Sequence, residues 1–188
     1  MHTTTLLLNP LHVIRWNTDK HYLADLAAMD VPVVPTQFVE VDAEPLEALQ
    51  AFLAAHPAEE LVVKPTVSAG ARDTQRYARS QEFAASNHIA RLLDAGRSVM
   101  LQPYLRAVDS RGETALIYFD GQFSHAIRKG PLLQADTPST PLPYANGHIT
   151  AREADLKERA LAEQALHAAQ RLLHLDEPLA YARVDLLY

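Results

Sequence analysis

The sequence predicts an α+β fold, built either as one large domain or as two small lobes. The length of 188 residues is sufficient for a substantial hydrophobic core. Segments with helical and with extended patterns alternate along the chain, and residues 112–130 have the pattern of a β-hairpin. Hydrophobic residues make up 48% of the chain and charged residues 21%, which is typical of a globular protein rather than a disordered one.

The first predicted elements lie before a polar loop that begins at residue 66. In chain order they are a helix from Asn17 or Thr18 to about Met29, an extended segment 31–41, a helix 45–55 and a strand 60–65. Asparagine and threonine are preferred helix N-caps, and Asp19 would lie in the favourable first turn. Prolines exclude a helix from the extended segment, whereas leucines at helical spacing predict the second helix.

The remaining predicted elements follow the loop 66–79. In chain order they are a helix from Ser80 to about Asp94, a strand 98–105, a hairpin 112–130, a loop 130–148, a helix from Thr150 to about Leu173 and a strand 178–188. Asp120 and Gly121 suit the positive φ values of a type I′ turn, so they join the two strands of the hairpin. Thr150 and Glu153 have the spacing of a capping box, which predicts that the last helix begins there.

The net charge and the absence of cysteine exclude several kinds of function. A formal net charge of -6 disfavours nucleic acid as a partner, because nonspecific binding needs a basic surface. Without cysteine the chain has no disulfides, no thiolate metal ligands and no cysteine nucleophile. The leucine run near the N-terminus is too short for a signal peptide or a membrane span. We therefore predict a cytoplasmic protein with no membrane partner.

Lys64 lies inside the otherwise apolar strand 60–65, where an isolated ammonium group is unfavourable. This lysine therefore either points outward from an edge strand or meets an anionic ligand. The loop that follows contains Ser68, Gly70 and Arg72, and such a loop can direct backbone N–H groups at phosphate oxygens. The chain has no Walker motif, so the pattern alone leaves both interpretations open.

Other charged residues also have a structural and a functional interpretation. Lys20 lies in the first turns of a predicted helix, where it is either a solvent-facing residue or a ligand contact. Arg128 and Lys129 end the hairpin, where two cations either protect an edge strand from aggregation or bind an anion. Arg183 and Asp185 alternate in the apolar last strand and therefore share a face, where they either pair with each other or belong to a site.

A series of motifs follows in order from about Trp16 to Leu187. The motifs are a lysine after an N-x-D-K helix start, the linker DVPVVPT, the strand and loop VVKPTVSAGARDT, the segment LQPYL, the hairpin GETALIYFDGQFSHAIRKGP and the strand YARVDLL. This series resembles the ATP-grasp superfamily, and within it the small ligases related to glutathione synthetase. The chain is most similar in type to the group that includes the ring-closing ligase of cycloserine biosynthesis.

The resemblance implies a fold of two α+β lobes with antiparallel sheets that grip ATP, and it assigns roles to residues. The implied nucleotide contacts are Lys20 and Lys64 with phosphates and purine, Ser68, Gly70 and Arg72 in a lid over the phosphates, and Gln102, Tyr104 and Leu105 with the adenine. Asp185 is the implied Mg2+ ligand, Arg128 would steady the γ-phosphate and the acyl phosphate, and Arg183 would meet the substrate. Asp109 or Glu113 falls where the superfamily has a ribose or metal contact, and the sequence leaves both open.

The resemblance also implies a reaction. In the superfamily, the carboxylate of a small molecule attacks the γ-phosphate of ATP, and an amine or another nucleophile displaces the resulting acyl phosphate. ATP and Mg2+ are therefore the expected cofactors, and self-association into a homodimer is left open. Two other functions also stay open: a noncatalytic nucleotide-binding or partner module, and a phosphotransferase.

The same resemblance predicts the domain organisation. Residues 1–15 would be a remnant of, or a linker from, a preceding lobe, 16–104 the first ATP-grasp lobe and 105–188 the second. Superfamily members continue past the last strand of this chain into a strand that carries further magnesium ligands. We therefore expect an incomplete chain, truncated at both ends, with little or no ligase activity by itself.

Overall fold

The structure is a computed structural model that describes residues 6–131, 133 and 148–187. These residues form helices and antiparallel sheets, so the predicted α+β class is confirmed. By contacts, the chain divides into two compact units. The central unit comprises 33–110 and the described parts of 131–147, and the terminal unit comprises the described parts of 1–32, 111–130 and 148–188.

The helices and strands are numbered in chain order. The helices are α1 (Leu11–Thr18), α2 (Tyr22–Ala28), α3 (Pro45–Ala55), α4 (Glu82–Asp94), α5 (Ala107–Arg111) and α6 (Leu156–Leu172). The strands are β1 (Gln37–Val39), β2 (Glu60–Pro65), β3 (Gln75–Ala78), β4 (Val99–Pro103), β5 (Glu113–Phe119), β6 (Gln122–Lys129), β7 (Ile149–Arg152) and β8 (Tyr181–Leu186). In the described part of the chain, no helix combines the length and the hydropathy needed to cross a bilayer.

The central unit is an antiparallel sheet with two helices packed on one face. Its strand order is β1-β4-β2-β3. Helices α3 and α4 contact each other and the sheet, and their buried Leu49 and Ile89 lie in the core. Because alternate strand residues point to opposite faces, the pairing places Lys64, Arg76 and Gln102 on the face opposite to these helices.

The terminal unit contains the predicted hairpin in the middle of a second antiparallel sheet. Its strand order is β7-β6-β5-β8. Asp120 has a φ of 48° and Gly121 a φ of 73°, as a type I′ turn requires, so the predicted hairpin is confirmed. Leu116 and Tyr118 of β5 pack with Ala162 of α6 in the core. The alternate residues of β5 therefore lie on the other face of the sheet.

The predicted bounds of several elements are confirmed, and others differ. The helix 45–55 and the strand 60–65 have the predicted bounds. The predicted loop 66–79 ends early, because Gln75–Ala78 forms β3 and pairs with β2. The helix predicted from Ser80 begins at Glu82, after a short 3-10 helix. The predicted loop 130–148 lies largely outside the described residues.

The predicted start of the first helix is wrong. Helix α1 already ends at Thr18, and α2 begins only at Tyr22. The Thr18 hydroxyl donates a hydrogen bond to the carbonyl of Ile14 at 2.7 Å instead of capping a following helix. Asp19 has extended backbone angles, and its carboxylate accepts the backbone N–H of His21 at 3.1 Å. This local side-chain bond favours a turn over a continuous helix.

The predicted start of the last helix is also wrong. Thr150 lies in β7, which pairs with β6, and α6 begins at Leu156. The capping box is formed by Asp155 and Glu158 instead. Asp155 Oδ1 accepts the backbone N–H of Glu158 at 2.9 Å, and Glu158 Oε2 accepts the backbone N–H of Asp155 at 2.8 Å. Both spacings fit a capping box, and the pairing of β7 with the sheet decides between them.

The contact-based units differ from the predicted ranges 16–104 and 105–188 in where the N-terminal helices belong. Helix α2 packs against α6, and the side-chain amide of Gln164 donates to the carbonyl of Asp30 at 2.9 Å. These contacts place α1 and α2 in the terminal unit. The assignment of the predicted ranges to lobes of a larger enzyme stays a prediction.

Candidate functional site

Two carboxylates of the terminal unit converge on one ammonium group. Glu113 begins β5 directly opposite Lys129 of β6, and Asp185 lies opposite Ala115 on the neighbouring strand β8. Lys129 Nζ lies 2.9 Å from Glu113 Oε2 and 2.6 Å from Asp185 Oδ2. The three side chains thus meet on the face of the sheet opposite to its core. We call Glu113, Lys129 and Asp185 the lysine cluster.

Arg183 binds the same aspartate. Its Nε donates to Asp185 Oδ1 at 2.8 Å, and its Nη2 lies 3.1 Å from Asp185 Oδ2. The predicted sharing of a face by these two residues is confirmed. They are not buried, however, because the side chain of Arg183 is 49% exposed and that of Asp185 is 34% exposed. The two charged side chains of β8 are therefore partly exposed to solvent and are not enclosed in a core.

The charge of the lysine cluster is stabilised by the contacts within it. Burial lowers the pKa of Lys129, but the hydrogen bond and charge of Asp185, together with Glu113, outweigh burial, so the pKa is raised. Tyr22 of α2 lies near Asp185. Burial, and after it the negative charge of Asp185, raises the pKa of Tyr22. Lys129 is therefore an ammonium ion at neutral pH.

A β-bulge decides which cation of the hairpin joins this cluster. Counting outward from the Asp120-Gly121 turn would pair Glu113 with Arg128. The register shifts between Ile117 and Tyr118, so Glu113 pairs with Lys129 and Arg128 pairs with Thr114 instead. Thr114 is buried on the core side, and Arg128 therefore lies on the face opposite to Asp185. The pairing therefore places Arg128 on the sheet face opposite to Glu113, Arg183 and Asp185.

Gly112 allows the strands to approach closely where the hairpin begins. Its φ is +70°, a conformation that L residues with a side chain rarely adopt. A Cβ atom at this position would overlap the backbone carbonyl oxygen of Lys129 and lie 3.1 Å from Arg128 Nε. The lack of a side chain at residue 112 is therefore a condition for the position of Lys129.

The central unit contains a second cation held by two carboxylates. The guanidinium of buried Arg76 binds Glu60 through two hydrogen bonds of 2.8 and 2.7 Å. It binds both carboxylate oxygens of Asp109 at 3.0 and 3.1 Å. Its Cζ lies 3.6 Å from the ring centroid of Tyr104, whose hydroxyl donates to Asp109 at 2.5 Å. We call Arg76, Glu60, Asp109 and Tyr104 the arginine cluster.

The contacts of the arginine cluster determine the ionisation of its members. The hydrogen bond from Arg76 lowers the pKa of Glu60. Burial, followed by the hydrogen bond to Asp109, raises the pKa of Tyr104 to about 12. The sequence does not single out Arg76 or Glu60, because they lie 16 residues apart on paired strands and 33 residues separate Arg76 from Asp109.

The predicted phosphate loop is held by ion pairs. Gly70 has a φ of 62° and Asp73 a φ of 53°. Asp73 Oδ2 accepts from Arg97 Nη1 at 2.6 Å and lies 3.9 Å from Arg72 Nε. The hydrogen bond from Arg97 lowers the pKa of Asp73. Ser68 lies half-buried in the same loop. Ion pairing thus fixes a left-handed backbone position that aspartate adopts only at some cost.

Comparison with known proteins identifies relatives of the whole chain. No protein-family model matches. The cycloserine biosynthesis protein DcsG of Streptomyces lavendulae is 50% identical over 186 residues, which cover 97% of this chain and 61% of DcsG. The crystal structure of D-cycloserine synthetase DcsG superposes with a TM-score of 0.90 at 48% identity and covers 97% of this chain and 61% of its own.

Two more distant structures share the fold. The ATP-grasp ligase PsnB, solved with a phosphomimetic precursor variant, Mg and ADP, has a TM-score of 0.62 at 21% identity, covering 97% of this chain and 49% of its own. The chain has the ATP-grasp fold. D-alanine–D-alanine ligase from Bacillus anthracis, solved with ATP, has a TM-score of 0.62 at 16% identity. The match covers 96% of this chain and 53% of the ligase chain. The predicted resemblance to ATP-grasp ligases is confirmed, and the chain spans 61% of the length of DcsG.

Several residues with an implied nucleotide role in the ATP-grasp fold lie together in the central unit. Lys64 of β2 and Gln102 of β4 share the sheet face opposite to α3 and α4. Gln102 is buried, and its side-chain amide donates to the Thr36 hydroxyl at 2.8 Å. Tyr104 and Leu105 pack in a cluster with Val62 and Val108 in the same unit. The implied adenine segment is therefore anchored by packing and by hydrogen bonds.

The remaining predicted residues of the terminal unit lie in two places, one face of its sheet and the turn between α1 and α2. It brings Glu113, Arg183 and Asp185 to one sheet face, with Lys129 between the carboxylates. Lys20 lies in the turn between α1 and α2, where its backbone carbonyl accepts the N–H of Leu23 at 3.0 Å. The ATP-grasp roles implied for these residues stay predictions.

Proposed function

We propose that the chain is part of an ATP-dependent ligase that joins a carboxylate to an amine or a related nucleophile through an acyl phosphate. The observation that supports this most strongly is 50% identity to DcsG across 97% of the chain. Because the chain covers 61% of that relative, the reaction of the whole protein is inferred from the shared part. The ring closure of D-cycloserine synthesis is the first reaction to test.

The lysine cluster fits a role in binding Mg2+. Glu113 and Asp185 already direct one oxygen each at a single cationic group, the Lys129 ammonium. Mg2+ prefers oxygen ligands and is usually held by one or two carboxylates together with substrate phosphates. In the described residues no three His, Cys, Asp or Glu side chains are grouped to hold a metal, so phosphate oxygens or further residues would complete the coordination. A bound Mg2+ would neutralise phosphate charge.

Of the two carboxylates left open by the sequence, Glu113 is the better candidate for a metal or ribose contact. Asp109 already accepts hydrogen bonds from Arg76 and Tyr104, and these bonds hold the segment that follows β4. Glu113 contacts Lys129 on the same face as Asp185. We therefore assign Asp109 a structural role and Glu113 a role toward the ligand.

The proposed nucleotide contacts are divided between the two units. In the central unit, Lys64 would contact phosphate, Ser68, Gly70 and Arg72 would cover it, and Gln102, Tyr104 and Leu105 would hold the adenine. In the terminal unit, Lys20 would contact phosphate, and Arg183 would bind the substrate carboxylate, which is already negatively charged before it attacks the γ-phosphate. Arg128 keeps its proposed phosphate role only if the ligand reaches the opposite sheet face. A cytoplasmic location and a homodimer stay predictions.

Nucleotide binding can be tested by thermal unfolding of this chain with and without ATP and Mg2+. A ligand at about 100 times its dissociation constant stabilises the folded state by about 2.7 kcal/mol. We expect Lys64→Ala to lose most of this shift. The control Lys157→Ala removes the same charge from an exposed position in the first turn of α6 and should retain the shift. Equal shifts in both variants would contradict the proposed contact.

Catalysis is tested by measuring ADP release in the presence of candidate acceptors. We expect this chain to release little ADP, because Glu113 and Asp185 provide only two of the oxygen ligands that Mg2+ needs. A longer protein that contains the chain should show acceptor-dependent release. ATP binding without release by the longer protein would instead support a noncatalytic nucleotide-binding module, and a phosphorylated product would support a phosphotransferase.

A further inference from the structure

The ammonium of Lys129 contacts both carboxylates of the Glu113–Asp185 pair. Its distances to the two carboxylate oxygens are 2.9 and 2.6 Å. The side chain of Lys129 is 19% exposed, so part of it is reached by solvent. One positive charge therefore already compensates the repulsion between the two carboxylates.

We propose that Lys129 is an internal counterion that occupies the cation position of the Glu113–Asp185 pair and must leave Asp185 before a divalent cation can bind. This inference rests on the proposed role of the pair in binding Mg2+. It concerns a positioning residue, because Lys129 acts through the two carboxylates.

The geometry makes the two cations mutually exclusive. Mg2+ binds carboxylate oxygens at about 2.0 to 2.1 Å. A divalent ion bound by the two oxygens that now contact the ammonium would compete with it for them and would be repelled by its charge. Both carboxylate oxygens of Asp185 already have cationic partners. Oδ1 accepts a hydrogen bond from Arg183 Nε, and Oδ2 contacts both Arg183 Nη2 and Lys129 Nζ. Binding a divalent ion therefore requires Lys129 to move.

Lysine is chemically suited to such an exchange. Its ammonium is a compact charge on a flexible chain of four carbons, and it is readily rehydrated when it leaves a partner. The strand position of Lys129 needs no backbone change for this movement, because the side chain stands out from the sheet face. Removal of the ammonium should consequently expose a stronger site for a divalent ion.

The test uses Mn2+ as a probe without nucleotide, with free Mn2+ measured by electron paramagnetic resonance. We expect Lys129→Met to lower the Mn2+ dissociation constant about tenfold, which corresponds to about 1.4 kcal/mol. Lys129→Arg retains the charge and should bind no tighter than wild type. The matched control Lys157→Met lowers the net charge equally from an exposed part of α6 and should change the constant less than about twofold. Adding Asp185→Asn to Lys129→Met should abolish the gain.

Two outcomes would overturn the inference: no gain in Lys129→Met, or an equal gain in Lys157→Met. If Lys129→Met does not fold, wild-type protein with 15N-labelled lysine gives a second readout. The Nζ resonance of Lys129, assigned by its loss in Lys129→Arg, should shift on addition of Mg2+, and an unchanged resonance at saturating Mg2+ would also overturn the inference. Failure of nucleotide binding in the thermal test would contradict the proposed function while leaving this cation exchange measurable.

Discussion

Each of the two units contains a cluster in which a cation lies between two carboxylates, and the cation differs between the two clusters. In the central unit, Arg76 binds Glu60 and Asp109 through four hydrogen bonds and stacks on Tyr104. Its side chain is only 9% exposed. The planar guanidinium uses its fixed donors in several directions at once, so every member of the arginine cluster holds the others in place.

The lysine cluster of the terminal unit has the same charge pattern but looser geometry. One ammonium makes one short contact with Glu113 and one with Asp185, and all three side chains are more exposed than Arg76. A point charge on a flexible chain can be replaced by another cation, whereas a guanidinium bound on both sides and covered by a ring cannot. The choice between arginine and lysine therefore separates a structural cluster from an exchangeable one.

The largest expected effect is loss of stability in Arg76→Met. This change removes both Arg76 hydrogen bonds to the largely buried carboxylate of Glu60, which keeps only a longer contact of 3.4 Å with Arg106 Nε, and it removes the stacking on Tyr104. We expect the free energy of unfolding to fall by about 3 kcal/mol. Arg76→Lys should recover less than half of it, because lysine lacks the forked donors. Urea unfolding measures both, and a loss below about 1 kcal/mol in Arg76→Met would place this cluster in the same class as the lysine cluster.

A somewhat smaller effect is expected from Glu60→Gln, about 2 kcal/mol at neutral pH, because hydrogen bonds to charged groups contribute about 1.5 to 3 kcal/mol. The pH dependence has a definite sign. Arg76 lowers the pKa of Glu60 below its ordinary value of 4.5, so the unfolded state takes up the proton first as the pH falls. The stabilisation is complete above pH 4.5 and is lost as the pH falls through the lower pKa of the folded state.

The difference between wild type and Glu60→Gln should therefore shrink in acid. Unfolding by urea at neutral pH and at several values below pH 4.5 measures this difference. A difference that is constant across this range would show that the pKa of Glu60 is not coupled to folding.

Tyr104→Phe should cost about 1 kcal/mol. The change removes the hydroxyl that donates to Asp109 at 2.5 Å but keeps the ring that covers Arg76. The same unfolding measurement applies, and Tyr104→Leu provides the comparison that also removes the ring. If both variants were equally stable, the ring would contribute nothing to the arginine cluster.

The smallest expected effect is that of Lys129→Met on stability, below about 1 kcal/mol, because partly exposed ion pairs contribute little. The change removes the ammonium contact with Glu113 and Asp185, whereas Arg183 still binds Asp185. Urea unfolding of this variant beside Arg76→Met compares the two clusters directly. Equal losses would remove the distinction between a structural and an exchangeable cation.

Much of the fold could be predicted from local sequence because local chemistry determines it. The turn at Asp120 and Gly121 requires positive φ values that few residue pairs tolerate, and the hairpin follows from it. The last helix shows the limit of such reasoning. Thr150 and Asp155 each precede a glutamate by three residues, and only the pairing of Ile149–Arg152 with β6 excludes the first of them as the cap.

The candidate site was less predictable, because it depends on strand register and on distant partners. A single bulge between Ile117 and Tyr118 places Lys129, rather than Arg128, opposite Glu113. No residue type in the hairpin predicts this shift of register. The arginine cluster joins residues from different strands and a helix, so its members show no common spacing in the sequence. Asp185 and Arg183 could be predicted to share a face because strand alternation is local.

Gly112 has a consequence for any attempt to move the lysine cluster into another protein. A designed three-stranded sheet that carries Glu113, Lys129 and Asp185 but has alanine at the position of Gly112 would force the two hairpin strands apart at their open end, since the added Cβ meets the Lys129 carbonyl oxygen. The ammonium would then be displaced from the two carboxylates even with every charged residue present. A transplanted form of the cluster therefore has to include Gly112, a residue that has neither a charge nor a side chain.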